Sequence, residues 1–453
     1  MLIRRMACRN VRWSGEMQGL HVWMNGEHVG CWHWGRRVQH SFTYSRAWLA
    51  SPAVRPLSLS LPIPIGEPVI SGPEVRHYFD NLLPDNLQIR ERVRQRFGLR
   101  GTDAETLLQA IGRDCVGAVQ LLPEGMEPIG FDRTEGAPLS GEDIESLLRN
   151  LTRPVLGQRD EALDDFRISI AGAQEKTALL RVDGQWMRPL GATPTTHIFK
   201  LPLGLVANLR FDLSDSVENE WLCSRLLAAL GLPVAQTDMA RFGDQRVLVV
   251  ERFDRRRVSE GRWIARLPQE DFCQATGMPA ERKYERDGGP GMNDILRILA
   301  AGSHPMEDGL VFALSQFAFW LLAAIDGHAK NFSIFLEPGG RYRMTPLYDV
   351  LSAWPVIGAG AGELPYQKAR LAMAVRAGNT HFRLADIQPR HWERLLRSVA
   401  GEEGLRALHE FVARVEPSLE TVEAELPADF PAQVWGSVRH GVRRQLDKVR
   451  AAV

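Results

Sequence analysis

A long apolar run that breaks abruptly into polar residues constrains this chain more than any other feature. "FAFWLLAAI" (317–325) gives way to "DGHAKN" (326–331), which supplies an Asp, a His, a Lys and an Asn before "FSIF" (332–335) resumes the apolar character. A buried helix over 311–325 is predicted, with Asp326 at its C-terminal end. The helix macrodipole disfavours a carboxylate there. We therefore expect a metal or a substrate hydroxyl to hold Asp326 in place.

The spacing of Asp326 and Asn331 is that of a kinase catalytic loop, Asp-x-x-x-x-Asn. In such loops the Asp accepts the proton of the acceptor hydroxyl and the Asn helps to hold magnesium. A strand "FSIFL", a turn "EPGGR" and the segment "YRMTPLYDVLS" follow, which places Asp349 at the end of a second short strand. An Asp there can bridge magnesium to the nucleotide phosphates. Each residue alone is typical of a loop, but the ordered set of three favours phosphate transfer.

Lys200 ends the apolar, β-prone run "THIFK". A lysine in such a strand needs a phosphate or a carboxylate near its ammonium. Residues 216–231 predict a helix with Ser216 as N-cap, and Glu218 or Glu220 in its first turn could pair with Lys200, as a strand lysine and a helix glutamate do in kinases. The alternative is a side chain that extends along the strand end into solvent.

A turn of small residues lies within "FRISIAGAQEKTALL" (166–180). Small side chains let backbone N–H groups approach an anion closely. The segment lacks the glycine and lysine spacing of a Walker A loop. It is either a phosphate-binding loop or a hairpin corner with a surface lysine.

The strand-like run "VLVVERFDR" (247–255) breaks into polar residues at Glu251. Kinase folds offer backbone groups to adenine at such a break between strand and linker. Most breaks of this kind are ordinary loops, so the signal gains meaning only beside the other motifs.

Composition excludes several functional classes. The 55 basic and 55 acidic residues cancel, so no global positive field indicates direct binding to nucleic acid. The five cysteines are scattered without a CxxC, which is typical of a reducing compartment and indicates against a zinc site or a disulfide framework. The longest apolar stretch is too short to span a bilayer, and the first residues lack a signal-peptide core. A cytoplasmic protein without a membrane partner is predicted.

The length of 453 residues indicates two or three domains. "LHVWM" and "EHVGCW" flank Asn25-Gly26 and predict a hairpin, and 56–65 predicts an edge strand or an extended segment. One helix is expected from Pro73 to Gly98. The predicted divisions are an N-terminal domain (1–125), a linker (126–165), a β-rich nucleotide-binding part (166–290) and a mainly helical catalytic lobe (291–453).

Several of these stretches together resemble the HipA family of bacterial serine/threonine-protein kinase toxins. The likeness covers nearly the whole chain, through "RPLSLSLPI", "YFDNLLPDN", "GRDCVGAVQLLP", "FRISIAGAQEKTALL", "THIFKLP", "RLPQEDFCQATG", "KYERDGGPG", "DGHAKNFSIF" and "TPLYDVLSAWP". The resemblance implies an α+β fold: a bilobal protein and phosphatidylinositol kinase-like core with an additional β-rich N-terminal domain.

The resemblance also implies roles for particular residues. Asp326 would be the catalytic base, and Asn331 and Asp349 would hold Mg²⁺. Ser169 would be a site of autophosphorylation within the phosphate loop. ATP would be bound by residues from both halves of the core, namely Ala171, Gly172, Lys176, Lys200, Glu251, Phe253, His328, Asn331 and Asp349.

Partners and substrate follow from the same resemblance. A small HipB-like helix-turn-helix antitoxin would neutralise the toxin and bring it to operator DNA, where the two would co-repress their operon. The implied acceptor is glutamyl-tRNA synthetase, whose phosphorylation inhibits translation and promotes persistence. The substrate-facing stretch 358–381 matches only loosely. A pseudokinase scaffold of the antitoxin–DNA complex, a kinase for another protein acceptor, and a lipid or small-molecule kinase therefore stay open as alternatives.

Overall fold

The computed structural model describes residues 18–35, 38–152, 172, 174–206, 211–360 and 362–451. The chain divides into two compact units. The first comprises Met1–Phe199, Arg252–Glu281 and Ile334–Tyr342, and the second comprises Lys200–Glu251, Arg282–Ser333 and Arg343–Val453. Both contain helices and antiparallel strands, which confirms the predicted α+β class. The four domain divisions expected from the sequence stay predictions.

The helices are α1 Arg46–Leu49, α2 Pro73–Asp80, α3 Leu87–Arg96, α4 Ala104–Ile111, α5 Gly141–Thr152, α6 Ser216–Ala229, α7 Phe272–Ala275, α8 Met292–Leu299, α9 Pro305–Leu322, α10 Pro389–Glu425 and α11 Ala432–Arg450. A break in helical geometry at Ala400 and Gly401 interrupts α10. Among the described residues, no helix combines the length and the apolar character that crossing a membrane requires.

The strands up to the centre of the chain are β1 Gln18–Met24, β2 Glu27–Gly35, β3 Val38–Tyr44, β4 Val69–Ser71, β5 Gln120–Leu122, β6 Gly136–Pro138, β7 Lys176–Val182, β8 Gln185–Pro189, β9 His197–Lys200, β10 Gly204–Val206 and β11 Phe211–Leu213. The later strands are β12 Thr237–Phe242, β13 Gln245–Glu251, β14 Arg255–Val258, β15 Trp263–Arg266, β16 Gln269–Asp271, β17 Ser333–Leu336, β18 Tyr342–Met344, β19 Arg370–Ala377 and β20 Asn379–Arg383.

The N-terminal part of the first unit contains a five-stranded antiparallel sheet in the order β4-β3-β2-β1-β5. The predicted hairpin is confirmed: Asn25 and Gly26 both have positive φ (47° and 83°), as a tight two-residue turn between twisted strands requires. One face of the sheet packs on α2 and α4, and the Trp32 and Phe79 rings stack with centroids 4.2 Å apart. That face carries the apolar core of the N-terminal part.

Two sequence expectations in this part need correction. For residues 56–65 the edge-strand alternative is excluded, because the prolines of this stretch remove the donors that a ladder needs, and only an isolated bridge joins Ser58 and Leu61. The single helix expected from Pro73 is two, α2 and α3. Pro84 lies in the break, and the Asn86 side chain caps α3 by accepting from the Gln88 N–H at 2.8 Å.

A buried ion network lies deeper in the first unit. Asp114 accepts from Arg255 at 3.0 Å and Arg266 at 3.1 Å, and lies 3.4 Å from Arg252. Asp254 accepts two hydrogen bonds from Arg252, at 2.9 and 2.8 Å. All five side chains are buried or nearly so. Although burial opposes it, the three guanidinium groups hold the pKa of Asp114 below its usual range.

Glu270, at the centre of β16, is a second buried charge-capable group in the first unit. Its side chain is fully buried and accepts from the Leu59 N–H at 2.8 Å. Burial raises the pKa of Glu270 to about 8, against the lowering effect of hydrogen bonds from Ser58 and Leu59. The folded protein therefore keeps a proton on this carboxyl at pH values where the unfolded chain loses it.

This proton makes stability depend on pH. Between the unfolded pKa of 4.5 and the folded pKa of about 8, the folded state binds more protons, so the free energy of unfolding falls as pH rises, by up to about 1.4 kcal/mol per unit. We expect Glu270→Gln, which mimics the protonated acid, to flatten this dependence and to stabilise the protein at pH 8. Urea unfolding at pH 5.5 and 8 measures it. Glu91→Gln, on the exposed surface, is the control, and an unchanged slope in Glu270→Gln would contradict the expectation.

Helices dominate the second unit, although β19 and β20 add a hairpin. Helix α9 is exposed at its first turn and buried from Phe312 to its end. The Phe317 ring lies edge-on to Trp392 and Phe411 of α10, at 5.6 and 5.9 Å. The helix runs over Pro305–Leu322 rather than 311–325, because Ala323 adopts a left-handed conformation (φ 49°) that ends it.

Candidate active site

The buried residues Lys200 and Glu220 meet the partly exposed Asp349 in an ion triad in the second unit. The Lys200 ammonium donates to Glu220 at 2.6 Å and to Asp349 at 2.5 Å. Lys200 is only 6% exposed, so the alternative of a side chain extending into solvent is wrong. Of the two glutamates considered as partners, Glu220 takes the role. Glu218 pairs instead with Arg246, at 2.6 Å.

The start of α6 lies beside Lys200 and brings Glu220 to it. Asp215 is the N-cap residue, so the expectation that Ser216 caps the helix is wrong. The Ser216 hydroxyl instead accepts from the Leu203 N–H at 2.9 Å, which ties the chain just after Lys200 to the first turn of α6. Residues 216–224 are all buried, so both glutamates lie in the interior, and Glu220 is the one that reaches Lys200.

The triad carries one excess negative charge. Burial lowers the pKa of Lys200, but the Asp349 and Glu220 carboxylates outweigh it and raise that pKa above its usual value. Lys200 therefore stays charged throughout the physiological range. One ammonium between two carboxylates leaves a site that favours an additional cation.

The backbone on both sides of Asp349 is fixed by hydrogen bonds. Asp349 has φ 60°, a conformation rare outside glycine and held only where the surroundings impose it. Before it, Leu347 donates its N–H to Pro233 and accepts from Ala235, both at 2.8 Å. After it, the Ser352 backbone exchanges two hydrogen bonds with the Asn219 amide, at 2.8 and 2.9 Å. Asn219 is the neighbour of Glu220 in α6, so one helix positions both carboxylates.

The loop after α9 presents Asp326 to solvent. Asp326 lies four residues beyond the end of the helix, not at its terminus as expected, and its side chain is exposed. The Asp326 carbonyl accepts from the His328 N–H at 2.8 Å and from Asn331 Nδ2 at 2.9 Å. This hydrogen bond uses the amide nitrogen of Asn331 and so sets the orientation of its side-chain amide. The loop therefore carries an exposed carboxylate, that of Asp326, and an amide, that of Asn331, whose orientation a hydrogen bond sets.

Tyr348 joins this loop to the Asp349 segment. Its hydroxyl donates to the Lys330 carbonyl at 2.9 Å and lies 2.5 Å from the Ser333 hydroxyl. Thr345 adds a backbone hydrogen bond to the Ser333 carbonyl, at 3.0 Å. Hydrogen bonds from Tyr348 and Thr345 therefore connect the Asp326–Asn331 loop to the segment that carries Asp349.

The remaining predicted residues lie in several places. Glu251 ends β13 in the second unit, where its N–H donates to the Gln236 carbonyl at 2.9 Å. Phe253 belongs to the first unit, with its ring edge-on to Phe335 at 5.8 Å. Two residues of the predicted phosphate loop, Gly172 and Lys176, also belong to the first unit. Ser169 and Ala171 lie outside the described residues. The nucleotide contacts expected of all these positions stay predictions.

Sequence reasoning missed Tyr284. Its hydroxyl lies 2.5 Å from Asp326 Oδ1, and its ring stands edge-on to His328 with centroids 5.0 Å apart. The Ala329 N–H donates to the Lys283 carbonyl at 3.2 Å, which brings Tyr284 to the loop. Tyr284 lies within "KYERDGGPG", a stretch that carries the family likeness, but no spacing rule connects it with a residue 42 positions later.

Comparison with known proteins indicates the same family as the sequence motifs do. The chain matches the HipA N-terminal domain over residues 20–122 and the HipA-like C-terminal domain over 168–422. It is 36% identical to protein Y4mE of Sinorhizobium fredii, over 83% of this chain and 84% of that one. It is 28% identical to the serine/threonine-protein kinase toxin HipA of Shewanella oneidensis, over 68% and 69%.

A solved structure shares the fold. It is that of Shewanella oneidensis HipA with HipB and its operator DNA, with a TM-score of 0.75 and 23% identity, covering 95% of this chain and 97% of that one. The fold implied by the sequence resemblance is thereby confirmed. With both domain matches spanning most of its length, the chain belongs to the HipA family.

Proposed function

We propose that this chain is an ATP-dependent serine/threonine protein kinase that acts as a growth-arresting toxin in the cytoplasm. The observation that carries the proposal is the Lys200 ammonium held between Glu220 and Asp349. A lysine–glutamate pair beside a metal-binding aspartate is the electrostatic centre of protein kinases. The hydrogen bond from Tyr348 to the Asp326–Asn331 loop supports the proposal that the base acts beside this pair.

The donor atoms fit magnesium. Mg²⁺ prefers hard oxygen ligands, often one or two carboxylates together with phosphate oxygens. Asp349 would supply a carboxylate and Asn331 its amide oxygen, whose orientation the hydrogen bond from Nδ2 to the Asp326 carbonyl sets. When bound, the ion neutralises charge that develops on the transferred phosphoryl group. The excess negative charge of the triad supports this binding.

The chain's own groups then have separate tasks. Lys200 stays protonated and offsets the charge of the nucleotide phosphates, while Glu220 keeps its ammonium aimed at them. Asp326 accepts the proton of the acceptor hydroxyl as that oxygen bonds to the γ-phosphorus and the bond from phosphorus to the β,γ-bridging oxygen breaks. The Tyr284 hydroxyl is hydrogen-bonded to Asp326 Oδ1 and orients the carboxylate for this step.

Two glutamates two residues apart test the proposal as a matched pair. Glu220→Gln removes one carboxylate from Lys200, so we expect phosphate transfer to fall at least about tenfold, since a misplaced catalytic group costs one to two orders of magnitude. Glu218→Gln breaks only the pair with Arg246 and should retain most activity. Steady-state kinetics with labelled ATP measure both. Equal loss in the two variants would contradict the role of the triad.

The proposed acceptor is glutamyl-tRNA synthetase, with inhibited translation and persistence as the outcome. Labelling the purified synthetase with radioactive ATP tests this directly. Transfer to other proteins but not to the synthetase would leave the kinase in place and point to another acceptor. Proteome-wide comparison of phosphorylation after induced expression would then identify it.

The proposed partners are a HipB-like helix-turn-helix antitoxin and, through it, operator DNA. The known structure of a HipA with HipB and operator DNA supports the proposal. The balanced charge of this chain, 55 basic against 55 acidic residues, disfavours tight binding to DNA by itself. Gel shifts with and without the antitoxin test it, because specific binding by the chain alone would contradict it.

A further inference from the structure

Two histidines and a cysteine converge on one face of the β1–β2 hairpin, in the first unit. His21 Nδ1 lies 2.9 Å from His28 Nε2 and 3.4 Å from Cys31 Sγ, and His28 Nε2 lies 3.7 Å from Cys31 Sγ. Cys31 is only 2% exposed, and both imidazoles are half-buried. All three residues lie in the N-terminal sheet, and none belongs to the ion triad or the Asp326 loop.

A bulge in the hairpin creates this convergence. Residues three apart in a regular strand point to opposite faces, so His28 and Cys31 would not meet. The pairing shifts here: Val22 opposes Gly30, but Trp23 opposes His28, which leaves Val29 as the extra residue. The extra residue reverses the alternation, so Val29 enters the apolar core while His28 joins Cys31 on the other face. His21 lies directly opposite Cys31 in the register.

The three ligand atoms are spaced as a tetrahedral metal requires. Bonds of about 2.0–2.1 Å to nitrogen and about 2.3 Å to sulfur at tetrahedral angles separate two nitrogens by about 3.3 Å and a nitrogen from sulfur by about 3.6 Å. The two nitrogen–sulfur distances, 3.4 and 3.7 Å, agree with this within about 0.2 Å. The two nitrogens, 2.9 Å apart, need to separate by about 0.4 Å. Small rotations of two imidazoles accomplish that without moving the strands.

We propose that His21, His28 and Cys31 form a binding site for a single zinc ion. Two imidazoles and a thiolate are the ligand set of zinc and other borderline divalent metals, and they do not suit magnesium or calcium. The Cys31 thiol releases its proton to solvent when the metal binds. Three protein ligands leave the fourth position to water, since the imidazoles are partly open to solvent.

The surroundings of the cluster support a held metal. The Trp23 ring lies against His28, with centroids 4.9 Å apart, and restricts the rotation of that imidazole. The exposed Glu124 carboxylate acts electrostatically on His21 and adds negative charge near the site. The expectation from cysteine spacing that no zinc site exists considered only cysteine pairs. It did not include ligands that a bulge brings together across a hairpin.

Zinc and cobalt titrations of the purified full chain test the proposal. After chelation and dialysis, we expect one equivalent of Zn²⁺ to bind. Co²⁺ should give visible bands of tetrahedral coordination and a near-ultraviolet thiolate-to-cobalt band. His28→Gln should lower zinc affinity at least about tenfold, since even outer partners of a ligand change affinity by that much. Cys31→Ser should abolish the thiolate band.

His40→Gln is the matched control, because His40 lies in the same sheet and pairs with Glu105 at 3.0 Å, away from the cluster. It should bind zinc as the wild type does. His28 lies beside the hairpin turn, so we expect His28→Gln to fold even if Cys31→Ser does not, and circular dichroism tests this. A wild-type chain without the thiolate band, or zinc binding shared equally by wild type and His28→Gln, would overturn the proposal and leave the cluster as a hydrogen-bonded polar group. Kinase activity is not the readout, so this test is independent of the proposed function.

Discussion

We expect Asp326→Asn to lower phosphate transfer about a hundred- to ten-thousandfold, the range that a positioned general base contributes. The exposed side chain of Asp326 makes its one described side-chain hydrogen bond to the Tyr284 hydroxyl, so the substitution should leave folding unchanged. Growth arrest on induced expression should disappear together with phosphate transfer. Single-turnover labelling with radioactive ATP and plate assays measure the two effects.

Tyr284→Phe is the control for this experiment. It removes the hydroxyl that orients Asp326 but keeps the ring against His328, so activity should fall far less than in Asp326→Asn. A toxin that still arrests growth with Asp326→Asn would overturn the assignment of the base. It would favour the alternative of a scaffold that acts through the antitoxin–DNA complex without turnover.

The second large effect concerns stability. Asp114→Asn should destabilise the first unit by about 3–5 kcal/mol, because removing one partner of a buried ion network leaves uncompensated charge. Three buried arginines, Arg252, Arg255 and Arg266, would then face Asp254 as the remaining carboxylate of the network. That loss is a large part of the total of about 5–15 kcal/mol that holds a typical domain folded. Urea unfolding and soluble yield measure it.

A double variant distinguishes charge imbalance from lost packing. Arg266→Met removes one of the three positive charges and keeps an apolar chain of similar length. If uncompensated charge is the cause, the double variant Asp114→Asn with Arg266→Met should lose less unfolding free energy than the two single variants lose together. Glu91→Gln, in an exposed pair with Arg94, should cost less than about 1 kcal/mol. Strict additivity would contradict the network's role.

The sequence was sufficient for the parts of the site that depend on local spacing. Asp326 and Asn331 share one loop, and Asp349 follows after one hairpin, so their order and separation carried the kinase pattern without tertiary information. Lys200 was identifiable because a charged residue ended an apolar strand. These four positions lie in one compact unit.

What could not be foreseen depends on rotation and on distant contacts. Glu218 and Glu220 lie two residues apart near the start of α6, and two residues rotate a helix by about 200°, so only packing decides which one faces Lys200. Asp114 meets Arg252 across 138 positions, and no periodicity predicts that contact. Helix α9 ends at an alanine in a left-handed conformation, where the sequence has no glycine to indicate it.

If the proposed kinase activity holds, the paired hydrogen bonds between Asn219 and Ser352 limit how the protein can be switched off. Many protein kinases are silenced when the helix that carries the glutamate swings away from the lysine while the metal-binding aspartate moves separately. Here an outward swing of α6 would pull the Asp349 segment with it, so an inactive state with only Glu220 withdrawn is disfavoured. A regulator of this chain then has to act on what enters the site rather than on the helix. Phosphorylation at Ser169, which stays a prediction, or a bound partner that blocks the acceptor would meet that requirement.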